Sequence, residues 1–228
     1  MSNGKTTQNP ARDVTLKVGK PPKLRPKSFS DAEARAILAA ALAHRNDKES
    51  PRTSAAKRWV PWLCAFTGAR VGEISQLRKA DVTKTDGRWL IRITPEAGTV
   101  KTNEAREVVL HPQLVSSGFP KFVQQSADGH LFLTPAPGGD VLGPLRGLKN
   151  RLAEFARSIV TDPNVAPNRG WRHRFKTIGM EVGIPPRILD AIQGQAARNV
   201  ADTYGEVTLK TMAHAIDKFP AFDVSVGG

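Results

Sequence analysis

The segment Arg169-Gly-Trp-Arg172-His173-Arg-Phe175-Lys-Thr177 concentrates cationic and hydrogen-bonding side chains, and it is followed by Gly194-Gln195 and by Ala201-Asp-Thr-Tyr204-Gly205, which holds the only tyrosine in 228 residues. The apolar spacing between these pieces suits short amphipathic helices. Residues of these types, brought together, could hold a phosphate beside a phenol.

Two further candidates lie upstream. In Thr67-Gly-Ala-Arg70-Val-Gly-Glu73-Ile-Ser-Gln-Leu77 the glycine ends one helix, and Val71, Ile74 and Leu77 line the next. Arg70 therefore sits at a helix start, where the macrodipole opposes a cation. Such a place calls for a compensating anion or carboxylate, and Glu73 is at hand. The turn-rich tip Pro95-Glu-Ala-Gly98-Thr-Val-Lys101-Thr-Asn103 carries a lysine. Taken one at a time, Arg70 reads as a structural arginine paired with Glu73, Lys101 as a solvated hairpin lysine, and Tyr204 as a packed aromatic.

The elements that must position these groups are legible in outline. Residues 1–29 hold four prolines among lysines, with little apolar periodicity, and read as an extended arm or linker. Ser30-Asp-Ala-Glu33 has capping-box spacing, which predicts a helix over about 31–45. After a polar break at Arg45–Thr53, a second helix is expected over about 54–66. Val82-Thr83, Trp89–Thr94 and Arg106–Leu110 read as three short antiparallel strands. Helices are expected near 118–126, 144–160, 171–181, 186–193, 197–204 and 207–218, with the Asp162–Pro167 loop before the arginine-bearing one. Trp59, Trp62, Trp89 and Trp171 read as core. The fold class is mainly α with a small antiparallel β-sheet.

Composition narrows the function. Hydrophobic residues at 39% and charged residues at 24% are ordinary for a globular chain. No apolar run is long enough to span a bilayer, and the polar N-terminus lacks a signal-peptide centre, so a cytoplasmic protein is expected. Cys64, the single cysteine, lies in an apolar run and offers neither a disulfide nor a thiolate metal site. The net charge of +13 points to a polyanion, nucleic acid ahead of an anionic membrane. Residues 1–30 hold seven Lys or Arg against one acid, a charge of +6, so the rest of the chain is basic as well.

In order along the chain, Thr67-Gly-Ala-Arg70-Val-Gly-Glu73, Val100-Lys101-Thr102, Trp171-Arg172-His173-Arg-Phe175, Gly194-Gln195 and Tyr204-Gly205 resemble the signature boxes of the tyrosine recombinases, the phage integrase family. The resemblance covers about residues 28–222. It implies that family's catalytic-domain fold over 30–222, with 1–29 as a basic interdomain arm and 223–228 as a tail. It also implies a DNA strand transferase of mobile elements that cuts through a 3′-phosphotyrosine and frees a 5′-hydroxyl, with no metal or nucleotide cofactor. In this resemblance Arg70 and Arg172 are the phosphate clamp, Lys101 the general acid, Tyr204 the nucleophile, and Glu73 the support of the first arginine. His173 matches a residue that is usually structural in the family and reads as a packed histidine.

Two positions depart from the pattern. Arg169 and Gln195 stand where the family usually has histidines. Arginine can donate to phosphate but cannot act as a base at neutral pH, and glutamine can donate but cannot shuttle a proton. These replacements bear on proton transfer more than on phosphate binding. The resemblance further implies duplex DNA as partner, a tetramer assembled on DNA, a monomer without it, no membrane, a nucleoid location in a prokaryote, and a core-binding domain ahead of residue 1. Two other functions compete: a catalytically impaired integrase remnant that only binds DNA, and a type IB topoisomerase, disfavoured by the short chain.

Overall fold

The computed structural model describes residues 24–101, 103–196 and 205–224. The first helix, α1 (Asp31–Ala43), starts from a complete capping box, in which the Ser30 hydroxyl accepts from Glu33 N and the Glu33 carboxylate accepts from Ser30 N. Helix α2 (Pro51–Thr67) begins three residues earlier than the sequence predicts. The expected break contains its own start signal: Ser50 is the N-cap and Pro51 fills N1, where the absent N–H has no partner to lose.

Helix α2 is the spine. It packs against α1, the short α3 (Val71–Ser75), α6 (Leu142–Arg157) and α7 (Pro167–Glu181). Its Trp62, Leu63 and Phe66 are fully buried, and Trp62 satisfies its indole by donating to Leu38 O at 3.2 Å. Phe66 stacks on His111 with centroids 4.0 Å apart and meets Phe219 and Phe222 edge-on, so the C-terminal residues close over the core.

Strands β1 (Val82–Thr85), β2 (Arg88–Ile93) and β3 (Arg106–Val109) form an antiparallel sheet in the order β1-β2-β3. The register pairs Leu90 with Val109 and Ile91 with Val108, which puts the apolar centres of the strands side by side. Sheet and helices together give the mainly α architecture expected. The piece Leu131–Leu133 is buried core without being a strand. Beyond the sheet come α4 (Pro112–Ser116), which the sequence reading did not foresee, α5 (Phe119–Gln125), and, after α7, α8 (Pro186–Gln193) and α9 (Leu209–Lys218). Helix α9 packs on β3 and α8. The helix expected over 197–204, with Tyr204, lies outside the described residues.

Helix α7 also starts before the expected position, because Pro167 is its first residue rather than the end of a loop. Arg169 and Arg172 are thereby placed on one continuous helix. The last part of the basic arm is docked against it. Phe29 is 2% exposed and lies over Gly170 and Trp171, its ring 4.8 Å from the indole. Arg174 donates to Phe29 O, and Arg25 bridges Glu33 and Asp162. Three of the four tryptophans, Trp59, Trp62 and Trp171, are buried as expected, and Trp89 packs against the core from a half-buried position. Among the described residues no helix is long and apolar enough to cross a membrane.

Candidate functional site

Arg70 is the N-cap residue of α3. Its own N–H and its Nη1 both donate to Glu73, at 3.1 and 2.6 Å, so the carboxylate three residues on satisfies the helix start and neutralises the misplaced cation. The chain reaches Arg70 through Gly68, the left-handed end of α2 at φ 59°. A Cβ there would lie 2.4 Å from Gln193 Nε2, so only glycine fits.

Arg172 approaches from α7. Its Nη1 donates to Gly68 O at 2.8 Å and to Gln193 O at 2.7 Å, two main-chain oxygens that orient the guanidinium without cancelling its charge. Burial first, then the neighbouring Arg70 and Arg106, lower its pKa to about 10 against the pull of Glu73. Arg172 therefore stays charged at neutral pH in surroundings that already hold excess positive charge. An anion is what such a place lacks.

Lys101 comes from the β2–β3 connection. That tip is not loose at its base: buried Gln76 donates to Thr99 O at 2.5 Å and accepts from Thr99 N at 2.8 Å. Arg70, Lys101, Arg169 and Arg172 line one cleft of about 640 Å³, with Glu73 and His173 also in its wall. His173 is exposed there instead of packed. It lies four residues after Arg169, so both reach the same helix face. Burial, then Lys27, Arg169 and Arg172, hold its imidazole below its ordinary pKa, which favours the neutral ring.

Gln195 is not in that cleft but lines a second one, of about 540 Å³, with Arg106 and Gly205. Its side-chain amide donates to Gln193 Oε1 at 2.8 Å. Gln193 in turn is fully buried and donates to Arg172 O at 2.7 Å, so Gln195 joins the arginine site through one intermediary. Tyr204 lies outside the described residues, and the structure speaks to it only through Gly205.

Four residues at the site were not foreseen from the sequence. Gln193 and Gln76 are buried amides whose role depends on tertiary contacts. Arg106 opens β3 and reaches Glu73 at 2.6 Å. Lys149, on α6, lines the arginine cleft beside Asn168, whose amide donates to Lys149 O. Only Arg106 had a sequence signal, as a charge at the inner end of a strand. Burial pushes the Glu73 carboxyl up, but Arg106 and Arg70 outweigh it and hold the pKa below the ordinary carboxylate value. Among the described residues, no group of three His, Cys, Asp or Glu is arranged to hold a metal.

The fold is shared with tyrosine recombinases of known structure, and the sequence comparison points the same way. The integrase from mycobacterium phage Brujita superposes with a TM-score of 0.61 at 23% identity, covering 93% of this chain and 64% of that one. The XerH site-specific recombinase, solved bound to its difH substrate in a pre-cleavage complex, gives a TM-score of 0.57 at 20% identity over 89% of this chain and 55% of that one. In sequence, the tyrosine recombinase XerA of Pyrococcus furiosus is 24% identical over 216 residues, which are 93% of this chain and 68% of the relative. No family model matches the chain. The chain spans less than two thirds of the length of these two solved proteins.

Proposed function

We propose that this chain is the catalytic part of a site-specific DNA recombinase that cleaves and rejoins strands through a 3′-phosphotyrosine. The observation that carries the reading is the meeting of Arg70, Lys101, Arg169 and Arg172 in one cleft, with Glu73 anchoring the first arginine. In this reading the phosphodiester enters the cleft and its non-bridging oxygens meet the guanidinium groups of Arg70 and Arg172. Arginine suits the task because it remains charged and binds two oxygens at once. Negative charge grows on those oxygens as phosphorus becomes pentacoordinate, so prearranged cations favour the transition state over the ground state.

Tyr204 supplies the nucleophile. Its phenol ionises near pH 10 in isolation, and the surrounding cations favour loss of that proton to solvent water. The phenolate oxygen bonds to phosphorus, the bond to the 5′-oxygen breaks, and Lys101 gives that oxygen a proton. The reverse step, with another strand's hydroxyl, completes the exchange without an external energy source. Arg169 adds a phosphate donor where the family usually has histidine. Duplex DNA is the partner, consistent with the net charge of +13 and with the DNA-bound state of XerH, and a tetramer forming on DNA in the prokaryotic cytoplasm completes the reading.

A second reading is a non-catalytic DNA-binding remnant. It is favoured by Gln195, which cannot shuttle a proton and has one amide N–H committed to Gln193. The two readings separate on nicked suicide duplexes tiled across the DNA flanking the protein's own gene. Strand transfer predicts a protein–DNA adduct on a denaturing gel that Tyr204→Phe abolishes while a native-gel shift persists. Shifts with no adduct in the parent would establish the remnant.

A further inference from the structure

Arg106 belongs to none of the sequence boxes, yet it touches two of them. It stands at the start of β3 with its side chain 11% exposed. Its Nη2 donates to Glu73 Oε2 at 2.6 Å, and its Nε donates to Ile192 O near the end of α8 at 3.3 Å. The guanidinium lies directly over Gly194. A Cβ at that residue would come within 2.4 Å of Cζ and Nη1, and Gly194 is in the left-handed conformation at φ 64°. Its Nη1 is buried without a hydrogen-bond partner among the described residues.

The contacts form a continuous series. Arg70 is held by one oxygen of Glu73, and Arg106 is held by the other. Arg106 bonds Ile192 O, and the next residue, Gln193, presents the carbonyl that orients Arg172. Gln193 also accepts from Gln195. Arg106 is thus a rigid strut between the support of one phosphate-facing arginine and the support of the other. A guanidinium makes the two bonds from two nitrogens of a fixed planar fork; an ammonium offers its donors from a single rotatable nitrogen. An orphaned buried N–H is unusual in a native fold. Here it accompanies a position dictated by what lies on either side.

We propose that Arg106 is a positioning residue that sets the separation and orientation of the Arg70 and Arg172 guanidiniums, with Gly194 shaped to admit it. The inference rests on the strand-transfer reading for its kinetic consequence, but not for its geometric one.

The test uses Arg106→Lys, which keeps the charge and loses the second arm, and Gly194→Ala, which displaces Arg106 without changing a charged group. The first readout needs no DNA: the side-chain Nε–Hε resonances of Arg70 and Arg172 in the full chain. Both signals are expected to shift or broaden in each folded variant. Unchanged Arg70 and Arg172 signals in either folded variant would overturn the proposal, whatever the protein does to DNA. The second readout is single-turnover adduct formation at saturating nicked duplex. It is expected to slow by about tenfold to a hundredfold, the scale associated with misplacing a catalytic group by about 1 Å, while duplex affinity changes by less than about threefold. A residue that only supported the fold would lower the melting temperature and leave the rate of the folded fraction alone. Rates within about twofold of the parent in both variants would contradict the proposal, as would a loss in Arg106→Lys that multiplies with that of Glu73→Gln, since members of one series do not act independently. A parent without adduct sinks the strand-transfer reading and leaves the resonance test to decide Arg106.

Discussion

Arg172 and Gln193 are bonded to one another in both directions. Arg172 Nη1 donates to the Gln193 main-chain oxygen at 2.7 Å, and Gln193 Nε2 donates to the Arg172 main-chain oxygen at the same distance. The pair locks α7 to the end of α8 and leaves the rest of the Arg172 guanidinium for the cleft.

Gln193→Leu keeps the volume and the main-chain bond but removes the amide. Gln195 Nε2 then loses its acceptor, and the expected destabilisation is about 1–2 kcal/mol by urea unfolding. An unchanged midpoint would mean that the reciprocal bond adds nothing to the fold.

The arm is tied to the site helix through a close contact. A Cβ at Gly170 would sit 2.5 Å from the Phe29 ring, so Gly170→Ala overpacks a sealed contact and should cost about 1–3 kcal/mol. Shortening Phe29 to leucine in the same chain should recover part of that loss. Thermal unfolding of the single and double variants measures it; equal losses in both would show that the contact is not the cause.

His111 gives the fold an acid-sensitive point. Its Nδ1 accepts from Gln113 N and its Nε2 donates to Phe219 O, an arrangement only the neutral ring can make. Burial, only partly opposed by the Phe219 carbonyl and Asp217, lowers its pKa. A group that binds its proton less well when folded contributes stability that is present above the unfolded value, about 6.5, and is lost as pH falls below it. Urea midpoints should therefore drop between pH 7.5 and pH 5, and His111→Asn should flatten that slope. A parent whose midpoint does not move over the range would refute the assignment.

Lys149 faces the cleft with no carboxylate paired to it among the described residues. If it meets DNA phosphate, Lys149→Ala weakens duplex binding at all sequences alike and reduces the salt slope of log K by about 1. An unaltered slope would place Lys149 outside the DNA footprint.

Local chemistry explains how much of this was legible in advance. The Ser30 capping box and the Arg70–Glu73 pairing are each decided within a few residues, and each is found as expected. Helix starts at Pro51 and Pro167 were missed because proline reads as a break until one asks whether it can occupy N1. Gln76 and Gln193 could not be found from the sequence, because their partners lie 23 and 21 residues away, and Arg106 showed only as a charge at a strand end, its partner Glu73 lying 33 residues away. His173 was expected inside and is exposed at the cleft; its neighbour Trp171 takes the buried face, packed against Phe29.

The most direct test is to identify the attached residue itself. The protein is trapped on a nicked duplex, the DNA is digested to a short remnant, and the tryptic peptides are read by mass spectrometry. The account predicts a nucleotide joined through a 3′-phosphate to the peptide containing Tyr204, and no such mass from Tyr204→Phe. A nucleotide carried by any other residue, or its persistence in Tyr204→Phe, would contradict it.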